Sequence, residues 1–375
     1  MDAPDIHILI AGGGTGGHLF PGIAMARAFL ARNPENRILF VGTDRPFETS
    51  ILAAEGFDHR AIPAAGIKGL GLFKKIKALF KLPGALWCSA SIIRQFQPDL
   101  VIGVGGYSSG PVALAARLMG RIVVVQEQNI LPGVTNRMIS RFARRIHVSF
   151  GESLLFFPHS RPLLTGNPVR QIILDARERR KTRQAGGDRF TVMVAGGSQG
   201  AHSVNLALIE ALPHLDKNDG WQFIHQTGAN DETMVREAYE AEGITARVQA
   251  FFTDMDAQYE AADLIVCRAG ATSIAEITAM GLPSILIPFP YAADDHQVKN
   301  AVSLVNRGAA DMITEDVLTG DMLAERLTYY RNHPDELAMM AENADICGKP
   351  RAAEDIVDDC YALIGNGERA SLEME

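Results

Sequence analysis

Residues 6–18 read Ile6-His7-Ile8-Leu9-Ile10-Ala11-Gly12-Gly13-Gly14-Thr15-Gly16-Gly17-His18. An apolar run of strand length passes directly into a loop in which five of seven residues are glycine. Glycines let the backbone turn sharply and approach a ligand closely. An amphipathic segment, Pro21–Ala31, follows, with Pro21 predicted in its first turn. A helix N-terminus placed there offers unpaired N–H groups and a positive dipole end to an anion. Strand, glycine loop and helix form the opening of a βα unit.

The same grammar continues outward. Arg37–Val41, Leu100–Val104 and Arg121–Val125 are further short apolar runs, as are Phe190–Ala195, Trp221–Ile224, Arg247–Ala250, Leu264–Cys267 and Ser284–Ile287. Amphipathic segments such as Ser203–Ala211 lie between them. Buried strands alternating with helices argue for α/β architecture with parallel sheets. Two more glycine loops follow strands: Gly105-Gly106-Tyr107-Ser108-Ser109-Gly110-Pro111 and Gly196-Gly197-Ser198-Gln199-Gly200. The strand-to-glycine pattern near residue 11 returns near residue 195, an echo between two halves. A chain of 375 residues suits two domains. The turn-rich Gly166-Asn167-Pro168 marks the boundary, giving domains over 1–166 and 167–349. The charged segment Ala176–Gly187 reads as a helix of the second.

Composition excludes several classes. Hydrophobic residues are 47% and charged residues 21%, which excludes a disordered or collagen-like chain. The four cysteines, Cys88, Cys267, Cys347 and Cys360, form no C-x-x-C pair, against a disulfide scaffold or structural zinc. No apolar run approaches the length of a membrane span, and the acidic start Met1–Asp5 is unlike a signal peptide. The net charge of −8 hides an asymmetry: residues 1–166 hold 18 basic and 10 acidic side chains, residues 167–375 hold 18 and 34. The basic half should face something anionic. It lacks the aromatic-interleaved basic run of a nucleic-acid binder.

Motif templates narrow the chemistry. Gly12, Gly14 and Gly17 satisfy the dinucleotide G-x-G-x-x-G, with Asp44 as an imperfect acidic partner. The nucleophile elbow G-x-S-x-G fires twice, at Gly106–Gly110 and Gly196–Gly200, and so carries little specificity. The P-loop and the zincin H-E-x-x-H are absent. His18 stands at the mouth of an anion-binding loop, where the helix end favours a neutral imidazole able to take a proton; capping the helix is the other reading. Ser273-x-x-Glu276 fits a capping box, and it also fits a carboxylate accepting two vicinal ribose hydroxyls; spacing alone favours the cap. Asp254-x-Asp256 resembles a metal-binding D-x-D, but two carboxylates are too few to commit a site, so no metal is expected.

Between His59 and Pro98 there are seven basic residues and no acidic one. Within it Leu72, Phe73, Ile76, Leu79 and Phe80 share a helical face, with Lys74, Lys77 and Lys81 opposite. The periodicity alone favours a helix packed on its own core; the absence of acids argues instead for a membrane surface, with Leu72, Phe73, Lys74, Lys77, Leu79, Phe80, Lys81 and Trp87 as its expected residues.

The glycine loops, Gln126-Glu127-Gln128-Asn129, Gly166-Asn167-Pro168-Val169-Arg170 and Cys267–Asn300, in this order over almost the whole chain, resemble the MurG family of bacterial N-acetylglucosaminyl transferases. The resemblance implies a GT-B architecture, two Rossmann-like parallel-sheet domains facing across a cleft. It also implies a C-terminal helix, about 350–365, packed back on the first domain. It implies transfer of GlcNAc, with inversion, from UDP-GlcNAc to the C4 hydroxyl of MurNAc in undecaprenyl-diphosphate-linked lipid I, forming lipid II for peptidoglycan. No cofactor is implied. The implied UDP-GlcNAc residues are Thr15, Gly16, Gly17, Asn129, Arg170, Ser198, Phe252, Ala271, Thr272, Ser273, Ile274, Ala275, Glu276, His296 and Gln297. In this reading the Phe252 backbone meets uracil, Ala271–Ser273 the diphosphate, Glu276 the ribose, and His296 and Gln297 the sugar. Gly105, Gly106, Tyr107 and Ser108 are the acceptor residues. His18 is the first candidate for the base, Glu127 the second. The expected place is the cytoplasmic face of the inner membrane, bound peripherally, with an anionic lipid surface and other cell-wall synthesis proteins as partners. A nicotinamide-dependent oxidoreductase and a sugar-nucleotide epimerase are the competing readings.

Overall fold

The computed structural model describes residues 4–63, 72–158, 160–182, 189–197 and 199–372. Two compact units emerge: one holds the chain to Val169 together with the segment from Arg351 onward, the other Arg170–Pro350.

The first unit is built on seven parallel strands: β1 (His7–Gly12), β2 (Arg37–Gly42), β3 (Asp58–Ala61), β4 (Leu100–Gly105), β5 (Ile122–Glu127), β6 (Arg145–Val148) and β7 (Leu163–Leu164), in the order 3-2-1-4-5-6-7. The central strands β1, β4 and β5 are buried along nearly their whole length, as continuous apolar runs covered on both faces must be. The order reverses between β1 and β4, and the first two glycine loops leave the carboxyl ends of those two strands. That is where parallel α/β sheets bind ligands. The helix Ala352–Leu372 belongs to this unit, burying Ile356, Val357, Cys360, Leu363 and Ile364 against Ile6, Ile8, Phe29 and their neighbours. Polar anchors fix its register: Asp359 pairs with Arg145 at 2.9 Å, and the Tyr361 hydroxyl meets Asn36.

The second unit carries six parallel strands: β8 (Phe190–Ala195), β9 (Trp221–Gln226), β10 (Thr245–Gln249), β11 (Leu264–Cys267), β12 (Ser284–Leu286) and β13 (Asp311–Met312), in the order 10-9-8-11-12-13. Its core is one cluster running from Phe190 and Trp221 to Leu327 and Met340. The third glycine loop leaves β8 beside the switch from β9 to β11.

Strands β3, β6, β7 and β13 were not anticipated from sequence: β3 (Asp-His-Arg-Ala) and β6 (Arg-Ile-His-Val) are interrupted by charged and histidine residues, and β7 and β13 are two residues each, so none shows the apolar run that marks β11 and β12. The helix expected from Pro21 begins at Gly16, with Thr15 as N-cap and Pro21 inside it. Its first turn is therefore Gly16, Gly17 and His18, so their N–H groups line the helix mouth. The segment from Leu72 is a helix to Phe96. Among the described residues no helix is long and apolar enough to cross a membrane.

Candidate active site

In the first unit two glycine loops touch. Gly12, Gly13 and Gly14 take φ of 144°, 148° and 92°, and Gly105 and Gly106 take 98° and 82°, values that side-chain-bearing residues rarely adopt. A Cβ on Gly106 would lie 2.7 Å from the Gly13 carbonyl, so the loops interlock only as bare backbone. His18 lies beside them, half-buried, its Nδ1 3.1 Å from Gln128 Oε1. The anticipated acceptor residues Gly105 and Gly106 form this wall. Tyr107 is exposed next to them, and Ser108 is buried. Thr15, Gly16, Gly17 and Asn129 all sit at this end of the sheet; Asn129 follows β5.

Glu127 is placed differently from an open base. It is wholly buried, Oε1 accepting from the Asn129 N–H at 3.0 Å, and Oε2 from the Gly133 N–H at 3.1 Å and from Asn136 Nδ2 at 2.9 Å. Burial pushes its carboxyl up, and these hydrogen bonds offset part of the rise. Both oxygens brace the 129–136 loop.

In the second unit the sequence brought Arg170 and Glu276 under suspicion separately; the fold joins them. Arg170 Nε and Nη2 lie 2.9 and 2.8 Å from Glu276 Oε1, and the Tyr259 hydroxyl lies 3.3 Å from Oε2. Glu276 is 5% exposed, and the Tyr259 hydroxyl is pushed well above its usual range, by burial first and by the Glu276 charge second. The capping-box reading fails. The turn from β11 is so short that the helix starts at Ala271 behind Gly270 as N-cap, which places Ser273 inside the first turn. The N–H groups of Ala271, Thr272 and Ser273 then stand at the helix mouth, where a diphosphate is bound well. Ile274 is buried in the core and Ala275 half-buried behind them.

The Phe252 ring is fully buried, and its N–H is already given to Gln226 Oε1 at 3.0 Å, so the carbonyl is the backbone group it retains for a ligand. His296 opens a helix directly after Asp294 and Asp295, both left-handed at φ 58° and 54°. Consecutive non-glycine residues in that region store strain, which tends to persist where a site is over-determined. Gln297 accepts the Phe289 N–H through Oε1 at 2.9 Å. Ser198 lies outside the described residues, and so do the side chains of Leu72, Phe73, Lys74, Lys77, Leu79, Phe80 and Lys81. Trp87 is described and 79% exposed.

Asp254 faces Arg247 at 3.3 Å and Gln258 at 2.8 Å, while Asp256 faces Arg179 at 3.1 Å. Among the described residues no group of three or more metal-ligating side chains comes together.

Three residues with evident work escaped the sequence reading. Glu48 buries a carboxylate behind Gly13 and takes the Thr43 hydroxyl at 2.5 Å. Gln128 partners His18. Gln226 links two loops, donating Nε2 to the Gly197 carbonyl at 3.0 Å while accepting from Phe252. The available signal was polar residues closing an otherwise apolar strand, as in His225-Gln226-Thr227.

Comparisons with known proteins agree over the full chain. The glycosyltransferase family 28 N-terminal domain matches residues 8–148, and the family 28 C-terminal domain matches 191–356. A relative from Syntrophus aciditrophicus is 49% identical over 360 residues, 96% of this chain and 99% of that protein. One from Myxococcus xanthus is 45% identical over 375 residues, 98% and 97% of the two. Both are named UDP-N-acetylglucosamine–N-acetylmuramyl-(pentapeptide) pyrophosphoryl-undecaprenol N-acetylglucosamine transferase. Among solved structures, Acinetobacter baumannii MurG superposes with a TM-score of 0.76 at 30% identity, covering 95% of this chain and 98% of that one. A UDP-GlcNAc 2-epimerase from Neisseria meningitidis reaches 0.68 at only 13% identity over 94% and 99%, a likeness of fold alone. The two-unit parallel-sheet architecture is thus the GT-B fold, and the chain belongs to glycosyltransferase family 28, among the N-acetylglucosaminyl transferases that bear that name.

Proposed function

We propose that the protein transfers GlcNAc from UDP-GlcNAc to the C4 hydroxyl of MurNAc in undecaprenyl-diphosphate-linked lipid I, giving lipid II and UDP. Identity of 45% or more over nearly the whole chain to proteins named for this reaction carries the reading. The second unit holds the donor. Glu276, kept in place by Arg170 and Tyr259, accepts the ribose hydroxyls, and the helix mouth at Ala271–Ser273 receives the diphosphate. The acceptor oxygen attacks the anomeric carbon from the face opposite UDP, so an α-linked donor gives a β-linked product. As the new C–O bond forms, the anomeric bond to the diphosphate breaks, and the acceptor's proton passes to His18. Negative charge gathers on the leaving diphosphate, which helix N–H groups stabilise electrostatically. Glu127, with both oxygens engaged, positions the loop after β5 while His18 remains the first candidate for the base.

The acceptor's lipid tail stays in a bilayer, which gives the first unit reason to meet a membrane surface. Trp87 is 79% and Leu118 77% exposed, on adjoining helices Leu72–Phe96 and Ser109–Leu118. Arg117 is exposed beside Leu118, and Arg137 and Arg141 are exposed on and just after helix Val134–Ile139, which packs against Ser109–Leu118. Apolar anchors among cations suit peripheral attachment to an anionic leaflet at the cytoplasmic face.

The deciding assay measures UDP release from UDP-GlcNAc with and without a lipid I analogue. Release that depends on the acceptor is expected. Release or sugar epimerisation without acceptor would overturn the reading in favour of an epimerase.

A further inference from the structure

A run of hydrogen bonds in the first unit shares one direction. Gln128 Nε2 donates to the Val104 carbonyl at 2.8 Å. A backbone carbonyl only accepts, so that end of the amide is nitrogen and the other end oxygen. The oxygen faces His18 Nδ1 at 3.1 Å. An amide oxygen also only accepts, so Nδ1 carries the hydrogen and the neutral ring holds its lone pair on Nε2.

The orientation of Gln128 is secured a second time, because Nε2 also donates to Gln126 Oε1. Gln126 is wholly buried and turns its own nitrogen the other way, to Asn167 Oδ1 at 3.1 Å and Ser149 Oγ at 3.3 Å. Ser149 gives its hydroxyl hydrogen to the Glu127 carbonyl at 2.8 Å, which leaves its oxygen to accept from Gln126. Neither amide can ionise, so protonation does not reverse the chain, and the Val104 carbonyl, which only accepts, fixes its direction. Gly105 completes the arrangement: a Cβ there would lie 2.9 Å from His18 Cε1, so the ring packs directly on bare backbone.

We infer that Gln128, aligned by Gln126, is a positioning residue that holds His18 in its Nδ1–H tautomer and presents Nε2 as the atom that takes the acceptor's proton. The proton-taking part rests on the reading of His18 as the base; the tautomer does not. An imidazole in the other tautomer would offer a hydrogen where a lone pair is needed.

The test is a long-range ¹H–¹⁵N correlation spectrum of the ¹⁵N-labelled protein at about pH 8.5, above the imidazole range. His18 is expected to show a protonated Nδ1 and an unprotonated Nε2. The opposite pattern in the wild type overturns the inference whatever the kinetics. In Gln128→Met, which keeps the bulk and removes the acceptor, His18 should move toward the Nε2–H form. Turnover should fall about two- to tenfold, the range of one lost neutral hydrogen bond, with KM for UDP-GlcNAc changed by less than about twofold. An unchanged tautomer in folded Gln128→Met also overturns it. If that variant does not fold, the wild-type spectrum decides alone. His18→Ala turnover tests the base reading separately: a loss under about tenfold removes the base and leaves the tautomer result standing.

Discussion

Arg170 closes on a single oxygen of Glu276, with Nε at 2.9 Å and Nη2 at 2.8 Å, across 106 residues of sequence. The guanidinium, itself among the residues implied for the donor, holds the carboxylate expected to face the ribose. The pair is only partly buried on the arginine side, so its value lies in orientation more than in net stability.

Glu276→Ala should therefore weaken UDP-GlcNAc binding at least about tenfold, the loss of a charged hydrogen bond of about 1.5–3 kcal/mol. Arg170→Ala should weaken it less, because the acceptor oxygens remain but are no longer held. Titration calorimetry that found donor affinity intact in Glu276→Ala would remove Glu276 from the donor site.

Gln226 is the clamp between the Gly197 loop and Phe252. Replacing it by Leu leaves the buried Phe252 N–H without its partner, at about 1–3 kcal/mol, while the carbonyl of the exposed Gly197 turns to water. Urea unfolding should show a loss of that order, and donor affinity should fall with it. A variant of wild-type stability and affinity would show that the two loops hold themselves.

His18→Ala is expected to lower turnover about 10²–10⁴-fold with donor affinity little changed. Steady-state kinetics beside calorimetry separates the two effects. Loss of donor binding instead of turnover would mark His18 as a donor-loop residue.

His225 is wholly buried between Asn205 Oδ1 at 3.0 Å and the Tyr239 hydroxyl at 3.2 Å, and burial lowers its pKa to about 3. The unfolded chain titrates near 6.5, so between these values it binds the proton and the folded chain does not. The stabilisation is complete above about pH 6.5 and is lost as pH falls toward 3, by at most about 1.4 kcal/mol per unit. Denaturant unfolding at pH 7 and pH 5 should show this loss. His225→Gln should flatten the dependence; an equal slope in the variant would assign acid sensitivity to other groups.

Membrane attachment is read by co-sedimentation with anionic vesicles. The triple variant Lys74→Glu, Lys77→Glu, Lys81→Glu should bind far less at low salt, since each cation near the surface contributes about 1 kcal/mol. Trp87→Ala should weaken binding that survives high salt. Wild-type-like sedimentation of the triple variant would take this helix off the membrane face.

The order of strand, glycine loop and helix was legible in the sequence, because the strand period, the glycine backbone freedom and the helix start all act over a few neighbouring residues. Residues 6–18 therefore announced the βα unit, and the glycine loops marked the carboxyl ends of β1, β4 and β8. The charge asymmetry between the halves was equally plain, being a sum over composition. The division of labour among the carboxylates and amides was decided only by tertiary structure. Glu127 and Glu276 are both carboxylates beside a loop in the sequence, yet one has both oxygens filled by its own loop and the other, in the second turn of its helix, is held by Arg170. Gln128 meets His18 across 110 residues, and Gln226 meets Phe252 across 26. Side-chain hydrogen bonds depend on which strand ends the sheet brings side by side, and no local spacing carries that information.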